Sequence, residues 1–254
     1  MAKTIAEKIL SAHAGRELKS GDFAVCKVDF CFGQDGTSSI IIDRIKELGV
    51  NPVRDRLPEA TDRYPRRLIS KGVNKVFDKN KFCMVIDHNS PAPNQGASAV
   101  QKKMRDFARQ QGVHLYDINS GICHQVIPEK GHILPGYLVL GADSHTCTYG
   151  ALGALATGVG STDLAAALAT GKNWFKVPQT AKIIVKGKLP RGVSAKDIIL
   201  RIAGDLTANG ATYMALEFYG QTIDSLSVEG RFTICNMVVE LGAKCGFAPV
   251  DDKV

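Results

Sequence analysis

The stretch LVLGADSHTCTYGALGALATGVGSTD, residues 138–163, begins as an apolar run of strand length and ends in glycines and alanines. Four consecutive polar residues, Asp143 to Thr146, lie between these two parts. A short apolar run bounded by turn-forming residues indicates a buried strand, which is typical of a parallel sheet. We therefore predict that Asp143, Ser144 and His145 follow the carboxyl end of a strand, with little side-chain bulk packed behind them.

Short apolar runs alternate with helix-period segments on both sides of this stretch. The predicted strands are 23–30, 82–87, 113–118 and 137–142, and the predicted helices are 37–49, 96–112 and 161–171. Strands and helices that alternate at this spacing favour a mainly parallel sheet with helices on both of its faces. The predicted fold class is therefore α/β.

The composition changes at NWFKVPQT, residues 173–180. Beyond this point the sequence predicts a strand, a capped helix, a second strand and a helix over 231–246. We expect one α/β domain over 1–178 that carries the polar motifs. We expect a second α/β domain over 179–254, incomplete at its C-terminus.

The composition, 44% hydrophobic and 22% charged, is that of a globular protein. No apolar run approaches the roughly 18 residues needed to span a bilayer, and the first residues are too charged for a secretory signal. Seven cysteines, an odd number without a C-x-x-C pair, argue against a disulfide framework and for a reducing compartment. We therefore expect a cytoplasmic protein with no membrane partner.

The chain carries a net charge of +7, and its densest basic stretch is residues 62–81. A positive surface can attract nucleic acid, an acidic subunit or a small polyanionic substrate. This stretch includes acidic residues and lacks interleaved aromatic platforms, so it does not favour nucleic-acid binding. A solvated face or a subunit contact is the preferred interpretation.

Two further groups of reactive residues also follow predicted strands. Asp87 and His88 end the strand 82–87, and His124 lies shortly after the strand that ends near Ile118. Ligands in open α/β sheets bind outside the carboxyl ends of the strands, so convergence of these histidines predicts a site. A carboxylate beside an imidazole raises the pKa of the imidazole and favours its charged form. The imidazolium is a proton donor suited to expelling hydroxide.

Other kinds of site match the sequence less well. The glycines of GALATGVGSTD could precede an anion-binding helix, but they do not follow the G-x-G-x-x-G pattern, and no P-loop motif occurs. The segment GADSHTCT lacks the G-x-S-x-G turn of a serine hydrolase. No histidine pair has the helical spacing of a zinc site, so no metal ligand is assigned.

Four motifs occur in the order in which they are found in the aconitase family. They are VIDHNSPAPNQ, CHQVIPEKG, DSHT followed by GALGALATGVGSTD, and ICNMVVELGA. The chain resembles the large subunit of the two-subunit branch of this family over essentially its whole length. The resemblance implies aconitase-like three-layer α/β/α domains with mainly parallel sheets. It also implies a hydro-lyase that isomerises a hydroxy di- or tricarboxylic acid by dehydration and rehydration.

The resemblance assigns roles to particular residues. Asp87 and His88 resemble the pair that protonates the departing hydroxyl. Three residues resemble the shell that is hydrogen-bonded to an iron-bound water or hydroxide: His124, Asp143 and His145.

The remaining roles concern substrate and cofactor contacts. Ser144 resembles a substrate-carboxylate contact, and Asn236 resembles the asparagine on the cluster side. Glu240 resembles the glutamate that partners the histidine of DSHT, and its i, i+4 spacing from Asn236 predicts one shared helix face. The family segment QDATAQ ends in a substrate-binding glutamine, whereas this chain has QDGTSS, which leaves only the shorter Ser39 at that position.

The resemblance also implies a [4Fe–4S] cluster, whose one iron free of protein ligands acts as a Lewis acid in the complete enzyme. The family holds it by cysteines of an S-C-T-N and a C-x-x-C motif in a third domain, and neither motif occurs here. We therefore expect no cluster and no turnover in this chain alone, with Cys123 and Cys147 not acting as ligands. The implied partners are that cluster-binding domain, a small swivelling-domain subunit and a hydroxy-acid substrate, whose identity stays open. The resemblance leaves isopropylmalate, homocitrate and smaller malates open as substrates, and the non-enzymatic alternative is a scaffold fragment without catalysis.

Overall fold

The computed structural model describes residues 3–49 and 75–254, so most of the basic stretch 62–81 lies outside the described residues. Its strands are β1 Phe23–Lys27, β2 Phe30–Gln34, β3 Phe82–Val85, β4 His114–Tyr116, β5 Leu138–Gly141, β6 Leu155–Gly158, β7 Lys172–Lys176, β8 Thr180–Ile184, β9 Ala215–Tyr219 and β10 Cys245–Phe247. Its α-helices are α1 Ile5–Ala14, α2 Ser38–Gly49, α3 Gln95–Gln111, α4 Cys123–Glu129, α5 Ser161–Thr170, α6 Ala195–Leu206, α7 Gln221–Ser225 and α8 Val228–Asn236. Its 3₁₀ helices include Lys79–Lys81, Ser144–Leu152 and Met237–Leu241.

The main sheet has five parallel strands in the order β4-β3-β2-β5-β6. Its three inner strands, β3, β2 and β5, are buried on both faces, and β3 shows why. Phe82 and Met84 point into a core formed with α2, α3 and α5, whereas Cys83 and Val85 point into a core formed with α4. This three-layer α/β/α arrangement confirms the predicted α/β fold.

The chain adds strands first on one side of β2 and then on the other side. From β2 the chain builds outward through β3 and β4, and it then returns to add β5 and β6 on the other side. In open α/β sheets the crevice at such a switch point, outside the carboxyl ends of the strands, is where ligands bind. The loops that follow β2, β3 and β5 meet at this edge.

The predicted strand 23–30 is wrong as a single element, because the chain bends at Asp29. The Asp29 carboxylate accepts a hydrogen bond from the backbone of Leu138 at 2.8 Å and contacts His13. β1 therefore pairs with β7 in an antiparallel ribbon, and β2 starts again in the centre of the main sheet. The same stretch thus contributes to two sheets.

Three helices were predicted within one or two residues of their observed ends. Glycines terminate two of them, since Gly112 and Gly171 have φ angles of 68° and 70°, a left-handed conformation suited to a C-cap. The predicted helix over 231–246 is wrong beyond Asn236. There α8 gives way to a 3₁₀ helix, which Gly242 ends at φ 83°, and the chain continues into β10.

A second parallel sheet, in the order β10-β9-β8, follows the main one. It meets the first sheet at the 3₁₀ helix Ser144–Leu152, where the backbones touch: a Cβ at Gly150 would collide with the carbonyl oxygen of Gly246. Ala248 also donates its backbone N–H to the Gly150 carbonyl at 3.1 Å. The domain boundary between residues 178 and 179 stays a prediction. None of the helices within 3–49 and 75–254 has the length and apolar character to cross a membrane.

Candidate active site

Asp143 links all three histidines that the sequence places after strands. It lies directly beyond the end of β5, and its side chain is only 7% exposed. Its Oδ1 atom is 3.0 Å from Nε2 of His124 and accepts the backbone N–H of His145 at 2.8 Å. Its Oδ2 atom is 3.1 Å from Nε2 of His88. The carboxylate is therefore the acceptor shared by the three histidines. We call Asp87, His88, His124, Asp143 and His145 the histidine cluster.

His88 lies between two carboxylates. Its Nδ1 atom is 2.8 Å from Oδ1 of Asp87, and its Nε2 atom faces Asp143. A carboxylate can only accept, so the ring donates at both nitrogens only when it is protonated. Hydrogen bonding to Asp143 and then to Asp87 raises the pKa of His88 to about 10. The side chain is still 41% exposed, so a charged proton donor is accessible to solvent at this edge of the sheet.

The two carboxylates that hold His88 stay ionised. Burial alone would raise the pKa of Asp143, but hydrogen bonds from His124 and His88 outweigh it and hold that pKa well below its ordinary value. Burial likewise opposes ionisation of Asp87, and the bonds from His88 and the Cys123 backbone lower its pKa on balance. His88 is therefore held by ion pairs to both carboxylates rather than by neutral hydrogen bonds.

His145 connects this cluster to the second sheet. Its Nε2 atom is 3.2 Å from Oε1 of Glu240, and its Nδ1 atom is 3.1 Å from Oγ of Ser144. Asn236 donates to Oγ1 of Thr148 at 2.9 Å. Asn236 and Glu240 do not share one α-helix as their spacing predicts, because α8 ends between them. They nevertheless reach the same partner, the 3₁₀ helix Ser144–Leu152.

A cavity of about 540 Å³ opens beside the cluster. Asp143, Ser144, Lys176 and Lys244 are among the residues that line it, whereas His88, His124 and His145 are not. Pockets of this size hold small organic ligands. The small residues after β5 make room for this corner, since a Cβ at Gly158 would collide with the carbonyl oxygen of Asp143. This close approach accounts for the lack of side-chain bulk in the sequence.

Ser39 is not brought into the cluster. Its hydroxyl lies 3.0 Å from Nζ of Lys103 on α3, which also pairs with Asp43 at 2.7 Å. The Ser39 hydroxyl, at the position that resembles the family's substrate-binding residue, is thus already hydrogen-bonded to Lys103. Of the nine site residues predicted, the other eight lie around Asp143, or on the 3₁₀ helix Ser144–Leu152, or in contact with that helix.

The sequence reasoning missed three residues of the turn after β2. The Asp35 carboxylate accepts the backbone N–H groups of Asp87, His88 and Asn89 at 3.1, 2.8 and 2.8 Å. Thr37 donates to the Ala142 carbonyl at 3.0 Å, and Gln34 donates to Asp143 at 3.4 Å. The missing signal was the end of β2, which the predicted strand 23–30 concealed.

Asp35, Asp87 and His88 bring potential ligand atoms within 4.8 Å of one another, as a metal site would. All four of their carboxylate oxygens already accept hydrogen bonds, three of them from backbone N–H groups of the loop or of Cys123. Binding a cation there would break these bonds. The group is better described as a hydrogen-bonded support for His88.

The cysteines do not fit as ligands of an iron–sulfur cluster. All seven are buried free thiols, and burial raises the pKa of each. Cluster ligands are thiolates, which such surroundings disfavour. Cys147, beside the site, donates instead to the Asn236 carbonyl at 3.4 Å.

Comparison with known proteins identifies the family of this chain. The model of the aconitase family (aconitate hydratase) matches residues 7–254. A 3-isopropylmalate dehydratase large subunit 1 from Methanopyrus kandleri is 45% identical over 254 residues, which are 100% of this chain and 55% of that protein. The protein of the same name from Thermotoga maritima is 48% identical over 253 residues, 100% of this chain and 54% of its own length.

A 3-isopropylmalate dehydratase large subunit from Moorella thermoacetica is 48% identical over 256 residues, again 100% of this chain and 55% of that protein. The chain thus spans about half the length of the relatives that it matches. The family model covers nearly every residue, and the α/β fold is consistent with it. The chain belongs to the aconitase family.

Proposed function

We propose that this chain is part of the large subunit of a hydro-lyase that isomerises a hydroxy di- or tricarboxylic acid by dehydration and rehydration, with 3-isopropylmalate as substrate. The observation that carries the proposal is the charged His88 held between Asp87 and Asp143 at the switch point of the sheet. Relatives named as 3-isopropylmalate dehydratase large subunits support the choice of substrate. The reaction is the one expected in the leucine pathway.

The proposed role of His88 is to donate a proton from Nε2 to the departing substrate hydroxyl. That hydroxyl leaves as water when its C–O bond breaks, the ring becomes neutral, and the proton on the neighbouring carbon passes to a base that lies outside these 254 residues. Asp87 holds Nδ1 and keeps the ring oriented, so Nε2 must exchange its bond to Asp143 for one to the substrate. In rehydration the neutral ring takes a proton back from water at the same atom, as reversibility requires.

The other residues act around this proton donor in the proposed scheme. His124, Asp143 and His145 hold the oxygen that leaves as water, and Glu240 orients His145. Ser144 faces the cavity and binds a substrate carboxylate. Ser39 is the weakest of the proposed substrate contacts because Lys103 already occupies its hydroxyl. Asn236 is assigned to the side of the site on which a cofactor would lie.

The complete enzyme would carry a [4Fe–4S] cluster that supplies a Lewis-acidic iron for the hydroxyl. Because the buried thiols here do not fit as its ligands, thiolates from outside these 254 residues would hold it. We further propose a small swivelling-domain subunit as partner, a domain boundary between residues 178 and 179, and a cytoplasmic location.

The test is the complete large subunit, carrying the roughly 45% of the relatives' length that this chain does not match, assembled with its small subunit. Interconversion of 2- and 3-isopropylmalate after anaerobic loading with iron and sulfide supports the proposal. Activity on homocitrate or on a smaller malate instead would select the alternative dehydratases that the sequence leaves open. A loaded assembly that turns over none of these acids would leave the scaffold interpretation.

A further inference from the structure

We propose that the turn Gln34–Thr37 after β2 sets the separation of His88 and Asp143, and that Asp35 within it is a positioning residue for His88. This inference rests on the proposed function, because it concerns the same proton donor. The turn follows the central strand of the sheet, between the two strands whose loops carry His88 and Asp143.

One side of the turn holds the loop after β3. Asp35 is buried, 5% exposed, and its carboxylate accepts three consecutive backbone N–H groups, those of Asp87, His88 and Asn89. Hydrogen bonds to an ionised acceptor are stronger than neutral ones. Three such bonds fix the backbone from which the imidazole of His88 projects, and they leave its ring nitrogens free to face Asp87 and Asp143.

The opposite side of the turn holds the loop after β5. The hydroxyl of Thr37 donates to the carbonyl oxygen of Ala142 at 3.0 Å, and Nε2 of Gln34 donates to Oδ2 of Asp143 at 3.4 Å. Oε1 of Gln34 accepts the backbone N–H of Gly36, which closes the turn on itself. One rigid segment therefore contacts both loops at the residues that present the ion pair.

Asp35 could act on His88 by charge as well as by position, since ligand atoms of the two lie within 4.8 Å. Thr37 separates these effects because its replacement changes no charge. Thr37→Val keeps the shape of the side chain and removes the donor to Ala142. Thr37→Ser keeps the donor and serves as the matched rescue.

The experiment uses the 254-residue chain and two nuclear magnetic resonance measurements, the titration of the His88 ring and the exchange of backbone amides. We expect Asp35→Asn to speed exchange of the Asp87, His88 and Asn89 amides at least about tenfold. We expect Thr37→Val to lower the pKa of His88 by ~0.5 unit or more, and Thr37→Ser to restore it. Asp43→Asn, in the exposed ion pair with Lys103, is the control and should change neither measurement.

General loosening of the fold would speed exchange of the Met84 and Val85 amides in β3 as strongly as that of the loop amides, and that result would overturn the positioning role. So would a His88 pKa that is raised in the wild type and unchanged in Thr37→Val. Failure of the proposed function looks different. His88 would then titrate near its ordinary pKa in the wild-type chain itself, whatever the variants do.

Discussion

The imidazole of His88 and the carboxylate of Asp143 meet at 3.1 Å although the strands that present them are not neighbours. β2 lies between β3 and β5, and two strand spacings amount to about 10 Å. Both loops must therefore bend over the end of β2 to bring the groups together. The ion pair bridges the switch point of the sheet, which is where a substrate would enter.

We expect His88→Gln to reduce kcat for dehydration by roughly 10²–10⁴ in the assembled enzyme, because glutamine cannot donate a proton as an acid does. Iron and sulfide content should stay at the wild-type level. His114→Gln is the matched control, since this exposed histidine contacts the ring of Tyr116 rather than the residues around Asp143. Equal losses of iron–sulfur content and of activity in His88→Gln would indicate a structural role for His88.

The ion pairs of His88 predict a pH dependence of stability. Because the pKa of His88 is raised to about 10 in the folded chain, its contribution is complete below the unfolded pKa of about 6.5 and is lost as the pH rises through 10. The free energy of unfolding of the wild type should therefore exceed that of His88→Gln more at about pH 6 than above pH 10. Urea titrations at both pH values measure this difference.

His132 provides a control of opposite sign. Burial and the nearby His114 lower its pKa, so its contribution is present above the unfolded pKa and is lost as the pH falls. The stability difference between the wild type and His132→Gln should grow, not shrink, between about pH 5 and pH 7.5. The same direction of change in both variants would contradict the assignment.

We expect Gly158→Ala to destabilise the chain by about 1–3 kcal/mol, because the new methyl group would push against the carbonyl of Asp143. Gly204→Ala is the matched substitution within α6, where a Cβ meets no atom within 4 Å. It should stabilise the chain by about 0.5–1 kcal/mol. Urea unfolding of the two variants decides the matter: similar effects at both glycines would show that the contact with Asp143 does not constrain the strand.

The isolated 254-residue chain is expected to stay colourless after anaerobic treatment with iron and sulfide, with no absorption near about 400 nm and no isomerase activity. The reason is that burial disfavours thiolates at all of its cysteines. A brown protein with activity would contradict this expectation. A variant that replaces Cys147 and Cys123 by serine would then show whether those thiols are the ligands.

The sequence was sufficient for much of the fold and for the position of most of the predicted site. Apolar runs before Asp87 and Asp143 predicted strands ending at these residues, because the alternation of buried strand and polar turn is local. The family resemblance contributed the residues that no local pattern singles out, Asn236 and Glu240. Their roles remain predictions, although the structure records their contacts with Thr148 and His145.

What the sequence could not show depends on partners distant along the chain. The bend at Asp29 is fixed by Leu138 and His13, so a continuous apolar pattern concealed two strands. The role of Asp35 was missed for the same reason. The Asp35 carboxylate accepts hydrogen bonds from three backbone N–H groups more than 50 residues away. Every residue except proline has a backbone N–H group, so such bonds cannot be read from the residue types.

The contact between Gly150 and the Gly246 carbonyl has a consequence for motion. Two backbones that touch without intervening side chains cannot slide past one another, and the hydrogen bond from Ala248 to Gly150 ties them further. The two parallel sheets should therefore move as one block in any motion that opens or closes the candidate site. Any hinge that opens the candidate site would therefore lie outside the contact between these two sheets.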